Sequence, residues 1–136
     1  MKHKNINKMS KKILYGFLFM LAGTLAAAPD IYEEIAAGMR SGNSKELAKY
    51  FEASVDLTIL SQEEVYSKTQ AELVLKDFFQ KNTPKSFTIL HKSPVKDGPM
   101  YAIGNLATTG GIYRTTIFIK QAGGRSVIRE LRFEKD

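Results

Sequence analysis

The chain contains no cysteine and only two histidines, one of them at position 3. The first absence removes disulfide staples, thiol nucleophiles, dithiol redox pairs and most structural zinc sites. It also removes the cysteine that a bacterial lipoprotein needs for its lipid. With one histidine beyond the N-terminus, His91, a metal centre would have to be built from carboxylates. No acid cluster with ligand spacing is visible, and Glu33-Glu34 and Glu63-Glu64 read as solvated helix and turn charges. No phosphate-binding loop, dinucleotide glycine fingerprint or serine nucleophile elbow is present. The Gly110-Gly111 and Gly123-Gly124 pairs are explained by turns. Neither metal nor cofactor is expected.

A long apolar run is missing too. The longest, residues 13–22, spans 10 positions, whereas a membrane-crossing helix needs roughly 20. Five lysines precede it and Ala26-Ala27-Ala28 follows it. Basic head, short apolar stretch and small-residue exit are the three parts of a secretory signal peptide, here residues 1–28. Pro29 disfavours cleavage directly after Ala28, so a cut after Ala26 is the alternative, and Met9 is an alternative start. An uncleaved anchor is the competing reading of the segment. Cleavage leaves no stable membrane span and an exported product, periplasmic or secreted.

The leader also carries the charge. The chain has 20 Lys+Arg and 14 Asp+Glu; five of those lysines and none of the acids lie in residues 1–28, which leaves 15 against 14, a net of +1. The basic balance that would suggest nucleic acid or an anionic membrane therefore disappears. Residues 29–136, 108 in all, are enough for a single domain with one core.

Within that domain, Asp30 caps a helix over 30–40, with Ile31, Ile35 and Met39 forming an apolar stripe and Gly42 ending it. Asn43 caps a second, short helix that buries Leu47, Tyr50 and Phe51. Residues 55–60 alternate as a strand. Ser67 and Gln70 make a capping box that opens the longest helix, to about residue 81, with Ala71, Val74, Leu75, Phe78 and Phe79 on one wide face. Strands are expected over 86–92, 101–109, 112–120 and 125–134, the first with Phe87, Ile89 and His91 on one face, the last with Val127, Leu131 and Phe133 on one face. Helices first and a strand meander after them make an α+β architecture.

Four landmarks carry a family resemblance: the helix break at 40–43 leading to Leu47 and Tyr50-Phe51, the strand 55–59, the stretch 66–71 with Phe78-Phe79, and the terminal 128–133. Together they resemble the nuclear transport factor 2-like, or cystatin-like, superfamily. More narrowly, the chain looks like the exported Bacteroidetes domain of unknown function 4783. The resemblance covers essentially all of 29–136. It implies a cone-shaped fold, with N-terminal helices packed on a curved antiparallel sheet that leaves a one-sided pocket. Enzymes of the superfamily, isomerases and dehydratases, place a carboxylate or His-Asp pair and a tyrosine in the cone. Here the base position falls near Ile59 and the acid near Ile35, neither of which moves protons, so no catalytic residue is carried over.

The candidate binding residues are Tyr66, Tyr101 and Tyr113 as pocket walls, His91, and Arg129 if it faces inward. Each has a plainer reading: core-rim tyrosines, an edge histidine, and an arginine turned to solvent by a bulge, as Arg114 would be. The expected role is non-catalytic binding of a small apolar or weakly anionic ligand in the cone. Alongside it stands pairing of the sheet, through Thr108, Thr115, Thr116, Phe118 and Ile128, with a second copy or an envelope protein. An isomerase- or hydratase-type enzyme using Asp56, His91 or Tyr66 is the alternative.

Overall fold

The computed structural model describes residues 30–95 and 98–136. The signal peptide expected over 1–28 lies outside the described residues.

Helix α1, Ile31–Ser41, begins where the Asp30 carboxylate accepts the Glu33 N–H at 2.9 Å. It ends at Gly42, whose φ of 61° is the left-handed cap that a side chain resists. Helix α2, Ser44–Ala48, is capped by Asn43, which accepts the Glu46 N–H. Phe51, expected on this helix, instead opens strand β1, Phe51–Ile59, because it pairs with Ile128 far along the chain. Strand β2, Gln62–Ser67, was not expected. It is an edge strand, exposed along nearly its whole length, and so shows no apolar alternation. Helix α3, Lys68–Lys81, opens on the complete capping box: Gln70 N–H donates to Ser67 Oγ and Ser67 N–H to Gln70 Oε1, both at 3.2 Å. Strands β3 (Pro84–Lys92), β4 (Met100–Thr108), β5 (Gly111–Ala122) and β6 (Arg125–Lys135) follow.

The six strands form one sheet in the order β2-β1-β6-β5-β4-β3. All neighbours are antiparallel except β1 and β6, which run parallel one strand in from the β2 edge. The inner face packs α1 over β3 and β4 and α3 over β1 and β2. Leu57, Phe87, Leu106, Ile117, Ile128, Leu131 and Phe133 from the sheet meet Ile35, Met39, Leu75, Phe78 and Phe79 from the helices in one buried cluster. Gly104 is needed where β4 pairs closely with β3: a Cβ there would lie 2.6 Å from the Thr88 carbonyl oxygen and 2.8 Å from the Phe87 ring.

Bulges decide which side chains face the helices. In β3, Ile89 pairs with Gly104 and His91 with Ile103, so Leu90 is the extra residue. The shift takes His91 off the face it was expected to share with Phe87 and Ile89. Lys92 takes the inner side, with its ammonium 5.4 Å from the Tyr32 ring centre. In β6, Ile128 pairs with Ile119 and Glu130 with Phe118, leaving Arg129 as the extra, exposed residue. Ile128 therefore joins Leu131 and Phe133 on the inner face. Val127, expected with them, pairs with Lys120 on the other side. Thr108, Thr115 and Ile128 are buried on the inner face, in step with Leu106, Ile117 and Ile119, and so do not belong to an outer sheet surface. Of the five residues expected there, Thr116 and Phe118 remain, both half-buried.

Candidate functional site

A pocket of about 280 Å³ lies between the C-terminal half of α3 and the β1–β2 hairpin. Its apolar walls are Leu57, Ile59 and Leu60 on the hairpin and Val74 and Phe78 on the helix. The amphipathic face of α3 explains them, because Val74 and Phe78 stand one turn apart on the side turned to the sheet. Behind Phe78 lies a cluster of tilted and edge-on aromatic rings. Phe78 sits 4.7 Å from Phe133, 5.2 Å from Tyr113 and 5.7 Å from Phe79, centre to centre.

Polar groups enter at fixed points. Tyr113, buried on β5, donates its hydroxyl to Asn82 Oδ1 at 2.9 Å, and Asn82 Nδ2 donates to the Phe78 carbonyl at 3.2 Å, closing the last turn of α3. The Tyr66 hydroxyl, at the mouth, donates to Glu64 at 2.9 Å. That bond stabilises the neutral phenol, and the Tyr66 pKa is raised. Lys81 and Asp77 form an exposed ion pair at 2.9 Å on the rim. Wider hollows, such as one of about 500 Å³ between the α1–α2 turn and α3, are shallower and more open to solvent.

Of the five residues proposed from sequence, the pocket brings together Tyr66 and Tyr113. Tyr101 pairs with Phe118 on the opposite face of the sheet and is 43% exposed. His91 lines a groove along the β3 edge with Arg40 and Glu33. Arg129 projects from its bulge, and Arg114 is exposed beside Glu134 on β6. Asp56 is on the outer face, away from the pocket, while the neighbouring apolar Leu57 and Ile59 line it. Sequence reasoning missed Asn82, Lys81 and Leu60. Asn82 was readable as the C-cap of α3, but its role as partner of Tyr113 depends on a contact 31 residues away.

The outer face holds something that linear spacing concealed. Asp56, Glu63 and Glu130, from three adjacent strands, bring carboxylate oxygens within 4.8 Å of one another. Glu63 had read as a solvated turn charge, but β2 folds it back beside β1.

A family profile, the domain of unknown function DUF4783, matches residues 32–134. The chain belongs to the DUF4783 family. A family member from Bacteroides uniformis ATCC 8492 is 30% identical, with a TM-score of 0.76 over 79% of this chain and 98% of that one. A second, from Bacteroides fragilis YCH46, is 29% identical, with a TM-score of 0.73 over 79% and 100%. An NTF-2 like protein of unknown function from Silicibacter pomeroyi shares the fold at 15% identity and a TM-score of 0.55, covering 76% of this chain and 87% of that one. No curated protein matches the chain. The fold is thus NTF2-like and α+β, as the landmarks implied. Among the described residues, no helix is long and apolar enough to cross a membrane.

Proposed function

We propose that this DUF4783 domain is an exported, non-catalytic binding module whose cone mouth takes a small, largely apolar and weakly anionic ligand. The observation that carries the reading is the pocket itself: five apolar side chains around a 280 Å³ hollow, with Tyr66, Asn82 and Tyr113 as orienting groups and Lys81 at the rim. A ligand of about ten heavy atoms suits such a volume. Its apolar body would lie on Phe78 and Val74, and its acidic end would compete with Asp77 for Lys81. The titratable groups lining the pocket are Tyr66, Asp77, Lys81 and Tyr113, of which Tyr113 is held by Asn82 and Asp77 by Lys81. This arrangement supports holding a ligand rather than moving its protons.

Native mass spectrometry of the chain purified without refolding tests the reading, together with titration by anilinonaphthalene sulfonate, an apolar and weakly anionic probe. A bound mass lost on denaturation, or saturable probe fluorescence abolished by Val74→Trp and weakened by Lys81→Ala, is the expected result. Probe binding that ignores Val74→Trp removes the pocket from consideration.

The outer face favours a second reading alongside the first. Tyr101 and Phe118 are cross-strand partners, half-open to solvent, and Val65 on the β2 edge is 65% exposed. A homodimer or an envelope protein partner would cover them. Sedimentation equilibrium that stays monomeric at high concentration, unaltered by Tyr101→Lys, excludes self-pairing.

A further inference from the structure

The three carboxylates on the outer face are assembled by register rather than by sequence. Asp56 lies directly across β1–β6 from Glu130, and Glu63 lies across β1–β2 from Thr58, two residues along the same face as Asp56. Carboxylates this close repel one another unless a counter-charge is present. Arg132, opposite Thr58 on β6, supplies one: its Nε donates to Glu130. Three negative charges against one guanidinium still leave an excess of two.

A second observation points to a missing occupant. Thr58 is 9% exposed, its hydroxyl is shut off from solvent, and it has no hydrogen-bond partner among the described residues. By strand alternation it stands on the same face as Asp56, between Glu63 on one side and Arg132 on the other. Asp56 Oδ1 is also buried without a partner. A buried hydroxyl and a buried carboxylate oxygen left unpaired are costly, and native proteins normally satisfy both. One ligand that accepts lone pairs from both atoms, and neutralises the surplus charge, resolves the cost at a stroke.

We propose that Asp56, Glu63 and Glu130, with the Thr58 hydroxyl, form a site for a hard divalent cation on the outer face of the sheet. All four donors are oxygens and none is histidine or cysteine, which suits calcium or magnesium rather than zinc. Glu63 is exposed and gives the open approach from the β2 edge, while Asp56 and Glu130 are half-buried beneath it. Arg132 fixes Glu130 in place on the far side. The site draws β2, β1 and β6 together at the parallel seam. It is independent of the cone pocket, which lies on the opposite face.

The test is calorimetric titration of the chelator-stripped full chain with calcium, with zinc in parallel, and the thermal midpoint followed in both. The expected result is one calcium per chain, bound with a dissociation constant of about 0.1–1 mM, as for extracellular calcium modules, and a raised midpoint. Glu63→Gln, at an exposed edge where folding is not at risk, should weaken binding by about tenfold or more. Thr58→Val should fold at least as well as the parent without calcium, because it removes an unpaired hydroxyl, yet bind calcium more weakly. No heat and no midpoint shift at about 10 mM calcium overturns the proposal. So does calcium binding that both substitutions leave unchanged.

Discussion

Truncating Phe78 to alanine should remove a large part of this domain's stability. The ring is 5% exposed and meets three other aromatic rings, with Phe133 nearest at 4.7 Å. A buried phenylalanine cut to alanine typically costs about 3–5 kcal/mol, a figure that includes the void left behind. Here one edge of the ring lines the pocket, so the void opens to solvent and collapses or hydrates instead of staying sealed. That places the expected loss at about 3–4 kcal/mol, against a total of about 5–15 for a domain of this class. Urea unfolding followed by circular dichroism reads it directly. With a slope of about 1.5 kcal/mol per molar, the midpoint should fall by about 2 M. Phe78→Leu, which keeps most of the volume, should lose less than about 1.5 kcal/mol. A double-mutant cycle with Phe133→Leu should return a coupling of about 0.5–1.5 kcal/mol for the ring pair. A loss below about 1.5 kcal/mol for Phe78→Ala, at an unchanged slope, would refute the view that this aromatic stack ties α3 to β5 and β6.

Two further predictions rest on single contacts. Gly104→Ala should cost about 1–3 kcal/mol by overpacking, since the new methyl meets the Thr88 carbonyl and the Phe87 ring at under 3 Å; a neutral result in urea unfolding would mean that β3 and β4 separate more easily than their register implies. Tyr50 donates its hydroxyl to Glu34 at 2.7 Å, and chiefly that bond, helped by burial and the Glu34 charge, pushes its pKa from about 10 up to about 12. The tie between Tyr50 and α1 is therefore complete below about pH 10 and is lost as the pH rises through about 12, so parent stability should fall across that window more steeply than in Tyr50→Phe, and the phenolate absorbance titration of the variant should lack its latest step.

Much of the fold was legible because its signals are local. Asp30, Asn43 and Ser67 cap helices within three residues of themselves, and the α3 apolar face repeats at helical spacing. What stayed hidden depends on partners distant in the chain. Strand β2 is nearly all exposed and so offers no alternation to read. Phe51 is apolar in a helix or a strand alike, and only its pairing with Ile128 assigns it to β1. The bulges at Leu90 and Arg129 each flip the face of the residues around them, which moved His91 and Val127 to the other side from where simple alternation put them. The candidate pocket was half legible: Tyr66 and Tyr113 were readable as tyrosines able to wall a cavity, but the Asn82 contact forms only when the end of α3 meets β5, 31 residues on. The carboxylate cluster on the other face likewise arises only when β1, β2 and β6 come into register.

The parallel pairing of β1 with β6 has a consequence for how the chain acquires its shape. Asp56 and Glu130 are direct partners although 74 residues separate them. The first hairpin therefore has no seat in the sheet until the final strand exists, and the β3–β4–β5 meander has nothing to join it to. Contacts this remote in sequence make for slow closure, because the entropy of the intervening loop is lost before any pairing is gained. Strand β6 is the keystone laid last. A chain stopped short of residue 125 would hold two unconnected half-sheets with bare edges, open to every other strand in its surroundings.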